Sequence, residues 1–173
     1  LIADSVDCPQ ILYNVPSRTS VDLHFDTLQR LASHVNIVGL KDATADLERV
    51  PKLTTLGLLL FSGDDGTAFE FCAKGGDGVI SVAANVAPSQ MQKIIAGSKL
   101  DMVGASALNK SLNPLFKELF IETNHIPVKY MLQRMGKCCN TLRLPLTPLS
   151  AQFENKAEIA MLSAEIPLLN SIK

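Results

Sequence analysis

Residues 36–41 read NIVGLK, a short apolar run that begins at Asn36 and ends on Lys41. Three other runs have the same character: QILYNV at 10–15, LLLFS at 58–62 and GVISVA at 78–83. Each is bounded by Pro, Gly, Asn or Asp and is nearly continuous in hydrophobicity. That is how a strand buried on both faces of a parallel sheet reads. Their ends at Asn14, Lys41, Ser62 and Val82 lie about 20 to 27 residues apart. This is the period of a repeated strand–helix unit.

The intervening stretches carry helical spacing. Residues 22–35 place Leu23, Leu28, Leu31 and Val35 on one side, and residues 46–56 do the same with Leu47, Val50, Leu53 and Leu56. Pro51 limits the latter. Residues 65–74 stop at Gly75–Gly76, a helix C-terminal signal. After Ala87 no strand pattern recurs. Helices are expected over 88–100, over 103–120 with a break at Pro114, over 127–135 closing at Gly136, and over 151–169 bending near Pro167. The fold class is therefore α/β: residues 1–87 form four parallel strands with helices, and 88–173 are helical.

The chain has 173 residues, 47% of them hydrophobic and 19% charged, with a formal net charge of −1 and no Trp. Such a chain buries a core, and its composition excludes disorder, collagen and coiled coil. The balanced charge argues against a nucleic-acid or acidic-membrane partner. The longest apolar runs are too short to span a bilayer. A start at Leu1 in mid-pattern, with no charged segment before an apolar one, reads as a partial or truncated chain without a leader. Cys8, Cys72, Cys138 and Cys139 form no C-x-x-C pair and stand at no metal-ligand spacing from His24, His34 or His125, so free thiols in a reducing cytoplasm and no metal site are expected.

Chemistry concentrates at the carboxyl ends of the strands, where α/β proteins place their sites. Lys41 shares a face with Ile37 and Gly39. A buried amine there would favour its neutral form, as an imine-forming nucleophile requires; the plainer alternative is a strand-end lysine paired with Asp42. Tyr13 would lie close to Lys41 on the neighbouring strand and could relay a proton, or serve only as a core tyrosine. Arg18 follows in a loop and suits a carboxylate by bidentate hydrogen bonding, or is simply solvated. The Gly63–Asp64–Asp65–Gly66 loop fits helix capping better than phosphate or calcium binding. Gly75–Gly76–Asp77–Gly78 reads as a plain connection.

The segments ILYNVPSRT (11–19), VGLKDAT (38–44), LLFSGDD (59–65), GGDGVISVAANV (75–86) and LRLPLTP (142–148), in this order, resemble the 4-hydroxy-tetrahydrodipicolinate synthase (dihydrodipicolinate synthase) family of pyruvate-dependent class I aldolases. The resemblance covers nearly the whole chain. It implies the C-terminal half of a TIM (β/α)8 barrel, with strands equivalent to the last four, followed by the last barrel helix and a C-terminal helical domain. It implies a lyase that condenses pyruvate with aspartate semialdehyde towards diaminopimelate and lysine, without a cofactor beyond the imine on Lys41. Tyr13 then matches the relay tyrosine, Arg18 the arginine holding the semialdehyde carboxylate, and Gly63 and Ile80 positions lining the pyruvate pocket. Arg18 tilts the reading away from N-acetylneuraminate lyase-like relatives. A silent half-barrel subunit is the alternative of another class.

The family also implies a homo-oligomer, dimer or tetramer. Its members open with four further strand–helix units carrying a Gly-Thr-Thr-Gly-Glu segment, an inter-subunit tyrosine and the lysine feedback site, none of which this sequence contains. A complete barrel needs about 250 residues. A half barrel would leave the Gln10 and Gly78 strands as open edges and its inner face uncovered, so association or instability and little or no activity are expected of this chain alone.

Overall fold

A computed structural model describes residues 1–169; the last four residues of the expected helical segment 88–173 lie outside the described part. The chain divides into two compact units, Leu1–Ser81 with Ser98–Leu100, and Val82–Gly97 with the residues from Asp101 onward.

The first unit holds β1 (Gln10–Asn14), β2 (Ile37–Asp42), β3 (Leu59–Ser62) and β4 (Gly78–Val79). They form one sheet in the order β1-β2-β3-β4, with every neighbouring pair parallel. β1 and β4 are its two edges, as the sequence leads one to expect. Its helices are α1 (Ile2–Ser5), α2 (Pro16–Thr19), α3 (Phe25–Leu31), α4 (Val50–Leu53) and α5 (Ala68–Ala73). The two faces of the sheet differ sharply. Asn14, Leu40, Asp42, Leu60 and Ser62 are buried on one side, together with Leu28, Val50, Leu53, Phe69 and Phe71 of the helices. Ile11, Tyr13, Leu59 and Ile80 lie 44–53% exposed. The period-two alternation of a strand thus separates a packed face from an open one. Full burial of a leucine such as Leu60 is worth about 1.5–3 kcal/mol, so the packed face carries the stability of this unit.

Several elements are shorter than their sequence pattern. The 22–35 helix is reduced to Phe25–Leu31: Asp22 and Leu23 are held by polar side chains instead, and Val35 is exposed. The 46–56 stretch breaks into a 3-10 turn at Leu47–Arg49, α4, and a second 3-10 turn at Thr54–Leu56. Pro51 sits in the first turn of α4, where its missing N–H costs nothing, and the Asp46 carboxylate accepts the Glu48 amide at 3.0 Å. β4 covers only Gly78–Val79. The Ile80 amide still reaches Ser62 O at 2.9 Å, after which the chain turns at Ala83–Asn85. Asp64 does act as a helix-start acceptor, taking the Thr67 amide at 2.9 Å. The Gly75–Gly78 loop is more than a connection, because Asp77 exchanges backbone and side-chain bonds with Leu60 in β3.

The regular elements of the second unit, among its described residues, are all helical: most of α6 (Pro88–Leu100), then α7 (Met102–Ser111), α8 (Asn113–Glu118), α9 (Ile126–Arg134) and α10 (Ala151–Ser163), with the Ala83–Asn85 turn; residues 137–150 run between α9 and α10 without a helix. Leu112, Leu115, Leu119, Met131, Ala157 and Met161 form its buried core. The expected 103–120 helix splits at Leu112, with Pro114 in the first turn of α8. Gly136, at φ +71°, supplies the left-handed residue that closes α9. α10 ends at Ser163, well before Pro167. Glu165 takes a left-handed conformation, and the Ile166 amide returns to Met161 O, a Schellman closure that needs no proline.

Candidate active site

β1 and β2 lie in a register that sets Tyr13 opposite Lys41 and Asn14 opposite Asp42. On the open face the Lys41 Nζ stands 4.1 Å from the centroid of the Tyr13 ring. The expected closeness of these two residues is therefore found. The expected burial of the lysine is not: Lys41 is half-buried and Tyr13 is exposed, because nothing among the described residues of this unit covers that face. The simpler pairing of Lys41 with Asp42 is not formed either. Successive strand residues point to opposite faces, and Asp42 turns into the packed side.

Gly63 adjoins the lysine. A β-carbon there would stand 2.7 Å from the Ala43 Cβ and 3.0 Å from the Lys41 Cε. Only a residue without a side chain lets the lysine stem pass over the end of β3. Ile80 lies beyond the end of the edge strand β4 and is exposed. Arg18 lies in α2, immediately after β1, and is exposed on that short turn. Tyr13, Lys41 and Gly63 are thus brought together, while Arg18 and Ile80 stand at the carboxyl ends of two strands, with no hydrogen bond or ion pair to that trio among the described residues.

Beneath this face lies a polar cluster that the sequence reading did not single out. Asn14 is 1% exposed and Asp42 3%. The Asn14 Nδ2 donates to Asp42 Oδ1 at 2.9 Å and to Asp22 Oδ1 at 2.8 Å, and its Oδ1 accepts the Leu23 amide at 3.1 Å. The Arg49 Nη1 donates to both Asp22 oxygens at 2.9 Å, its Nη2 donates to Leu23 O at 2.7 Å, and its Nε stands 3.7 Å from Asp42 Oδ2. Thr44 donates to the same Asp42 oxygen at 3.0 Å. Burial pushes the Asp22 carboxyl up, but the bonds from Arg49 and Asn14 outweigh it and leave the group below its usual value. The available signal was the polar residue directly after each site residue, in strands that are otherwise apolar.

Among the described residues no group of three or more His, Cys, Asp or Glu stands close enough to hold a metal ion, and no helix is long and apolar enough to cross a membrane. All four cysteines are free thiols: Cys72 is buried, and Cys8, Cys138 and Cys139 are exposed.

Residues 1–164 match the model of the dihydrodipicolinate synthetase family. The 4-hydroxy-tetrahydrodipicolinate synthase of Thioalkalivibrio sulfidiphilus is 49% identical over 171 residues, which cover 96% of this chain and 58% of that protein. Among solved structures, the chloride-inhibited dihydrodipicolinate synthase of Acinetobacter baumannii, complexed with pyruvate, superposes with a TM-score of 0.92 at 45% identity, covering 96% of this chain and 58% of the other. Dihydrodipicolinate synthase from Aquifex aeolicus gives a TM-score of 0.93 at 39% identity, with 98% and 59% covered. The chain therefore spans somewhat more than half the length of these relatives.

Proposed function

The chain belongs to the dihydrodipicolinate synthetase family, and from that premise we propose that it is part of a lyase that condenses pyruvate with aspartate semialdehyde through an imine on Lys41. The single observation that carries this reading is the Lys41 amine held over the Tyr13 ring at the carboxyl ends of adjacent parallel strands. A nucleophile and a proton carrier are there side by side.

The chemistry follows from these groups. The neutral Lys41 amine adds to the keto carbon of pyruvate, and loss of water leaves a protonated imine. That imine is its own electron sink, so no further cofactor is called for. Removal of a methyl proton gives the enamine, whose terminal carbon attacks the aldehyde carbon of the second substrate. The aldehyde oxygen takes up a proton, and the Tyr13 phenol is the group placed to pass it. The amino group of the semialdehyde moiety then adds to the imine carbon, expels the Lys41 amine and closes the ring. Arg18 offers two parallel N–H groups to the semialdehyde carboxylate. Gly63 keeps the lysine stem unobstructed, and Ile80 supplies apolar lining for pyruvate.

The four strands are assigned as the last four of a (β/α)8 barrel and the second unit as the helical domain beyond it. Support comes from the regular elements described after β4, all of which are helices. The residues that bind the pyruvate carboxylate and complete the relay then belong to the remainder of a longer protein, and the chain alone should turn over little. Four free thiols suit a reducing, cytoplasmic compartment.

Borohydride reduction in the presence of pyruvate tests the reading. A reduced adduct on the peptide containing Lys41, absent in Lys41→Met, is expected. No adduct on that peptide, or one on a different lysine, overturns it.

A further inference from the structure

We propose that Asn14, Asp42 and Arg49 form a positioning network that sets Tyr13 against Lys41 and fixes the loop bearing Arg18. This rests on the assignment of Lys41 as the imine-forming amine, and it adds residues that touch no substrate.

Three observations converge. The first is register. A parallel pair with alternating faces tolerates a slip of two residues without exposing its apolar side. Such a slip would put Tyr13 opposite Gly39 or Ala43 instead of Lys41. The Asn14–Asp42 bond exists in only one register, the one observed. The second is loop closure. Asn14 Nδ2 holds the Asp22 carboxylate while its Oδ1 holds the Leu23 amide, so one side chain at the end of β1 also grips the far end of the 15–21 segment that carries Arg18. The third is the charge count. Two carboxylates share one guanidinium in a largely buried setting. A well-packed apolar substitute is often as stable as a buried ion network or more so, so stability alone does not account for this arrangement. Geometry does: Arg49 bonds the segment after α2 through Nη1 and Nη2 and pairs by charge with Asp42 at the end of β2, its Nε 3.7 Å from Oδ2, so one planar guanidinium spans both.

The test uses the 173-residue chain with two readouts. The chain contains only two tyrosines, Tyr13 and Tyr130. With labelled tyrosine, the Tyr13 ring NMR signals report the lysine stack, calibrated by Lys41→Met, and Tyr130 reports the helical unit. Borohydride trapping of pyruvate on Lys41 reports chemistry. In Asn14→Ala the Tyr13 signals should move towards their Lys41→Met positions with Tyr130 unchanged, and trapping should slow by about tenfold or more, as an ångström-scale misplacement of a reacting group does. Asp42→Asn keeps an acceptor for Asn14 and should retain most of both signals, whereas Asp42→Leu should lose them. Unmoved Tyr13 signals and trapping within about twofold in Asn14→Ala would overturn the proposal. Where Asn14→Ala does not fold, Arg49→Lys decides, because it keeps the charge and loses the planar guanidinium: an unshifted Tyr13 overturns the network and an intermediate shift supports it. Should the native chain trap no pyruvate while Tyr13 still moves in Asn14→Ala, the network stands and the imine assignment falls.

Discussion

The Lys41 Nζ lies 4.1 Å from the centroid of the Tyr13 ring, with the two residues facing each other across the β1–β2 pair. The contact uses the face of the ring, whereas proton transfer uses its hydroxyl, so the two roles separate. Tyr13→Phe keeps the aromatic face and removes the relay. Imine trapping should survive, while deuterium exchange into the pyruvate methyl group, followed by NMR, should fall by about 10²–10⁴-fold. Unchanged exchange would remove Tyr13 from the relay.

Gly63→Ala should act on the lysine directly. The added carbon would meet the Ala43 Cβ at 2.7 Å and the Lys41 Cε at 3.0 Å. Relief requires the end of β3 or the lysine stem to move. Overpacking of this kind costs about 1–3 kcal/mol. Urea unfolding should register that loss, and borohydride trapping should fall more than stability does. Full trapping in Gly63→Ala would show that the stem has room to spare.

The division between what was legible in the sequence and what was not follows from the range of the signals. Apolar runs of four to six residues with a regular spacing identified the sheet, and the period of two placed Tyr13 beside Lys41. The short α3 was not legible, since Asp22 and Leu23 are diverted by Asn14 and Arg49, residues 8 to 27 positions away. Asp42 was read only as a possible partner for Lys41; strand alternation turns it to the packed side, where its partners are Thr44, just beyond the strand, and Asn14 and Arg49 from other segments. Burial of Lys41 was expected from its place on a strand that reads as doubly buried; the packing that would cover its face is not among the described residues of this unit.

Acid should weaken the same cluster. The Asp22 carboxyl is held below its usual value, with the bonds from Arg49 and Asn14 prevailing over burial. A depressed folded-state pKa contributes stability above the unfolded value near 4, lost as pH falls through the folded value. Asp22→Asn should therefore be less stable than the native chain at pH 7, and the gap should narrow steadily below about pH 4. Urea titrations at a series of pH values measure it. A gap independent of pH would assign the loss to shape instead of charge.

The open sheet face should be detectable in solution. Ile11, Leu59 and Ile80 are 44–49% exposed there, and contiguous apolar surface of this kind binds hydrophobic dyes and promotes association. The isolated chain should enhance anilinonaphthalene sulfonate fluorescence under native conditions. Leu59→Lys, in the middle of the face, should cut the enhancement at least about twofold without loss of circular dichroism. An equal signal from Leu59→Lys would place the dye elsewhere.

The thiols should divide by environment in the opposite sense to their number of neighbours. Burial pushes the Cys72 thiol up to about 11, which leaves almost no thiolate at neutral pH. The exposed Cys139 is shifted down, first by a hydrogen bond from the Thr141 side chain and then by its backbone amide. Alkylation depends on thiolate and access together. Iodoacetamide at pH 7 should therefore mark Cys139 early and Cys72 only after unfolding. Thr141→Val removes the largest cause of the downward shift and should slow Cys139 at pH 7, with the two rates converging as pH rises towards 10, where both forms are ionised. Peptide mapping of a timed alkylation reads both effects; a Thr141→Val rate equal to the native one at pH 7 would show that the hydroxyl does not stabilise the thiolate.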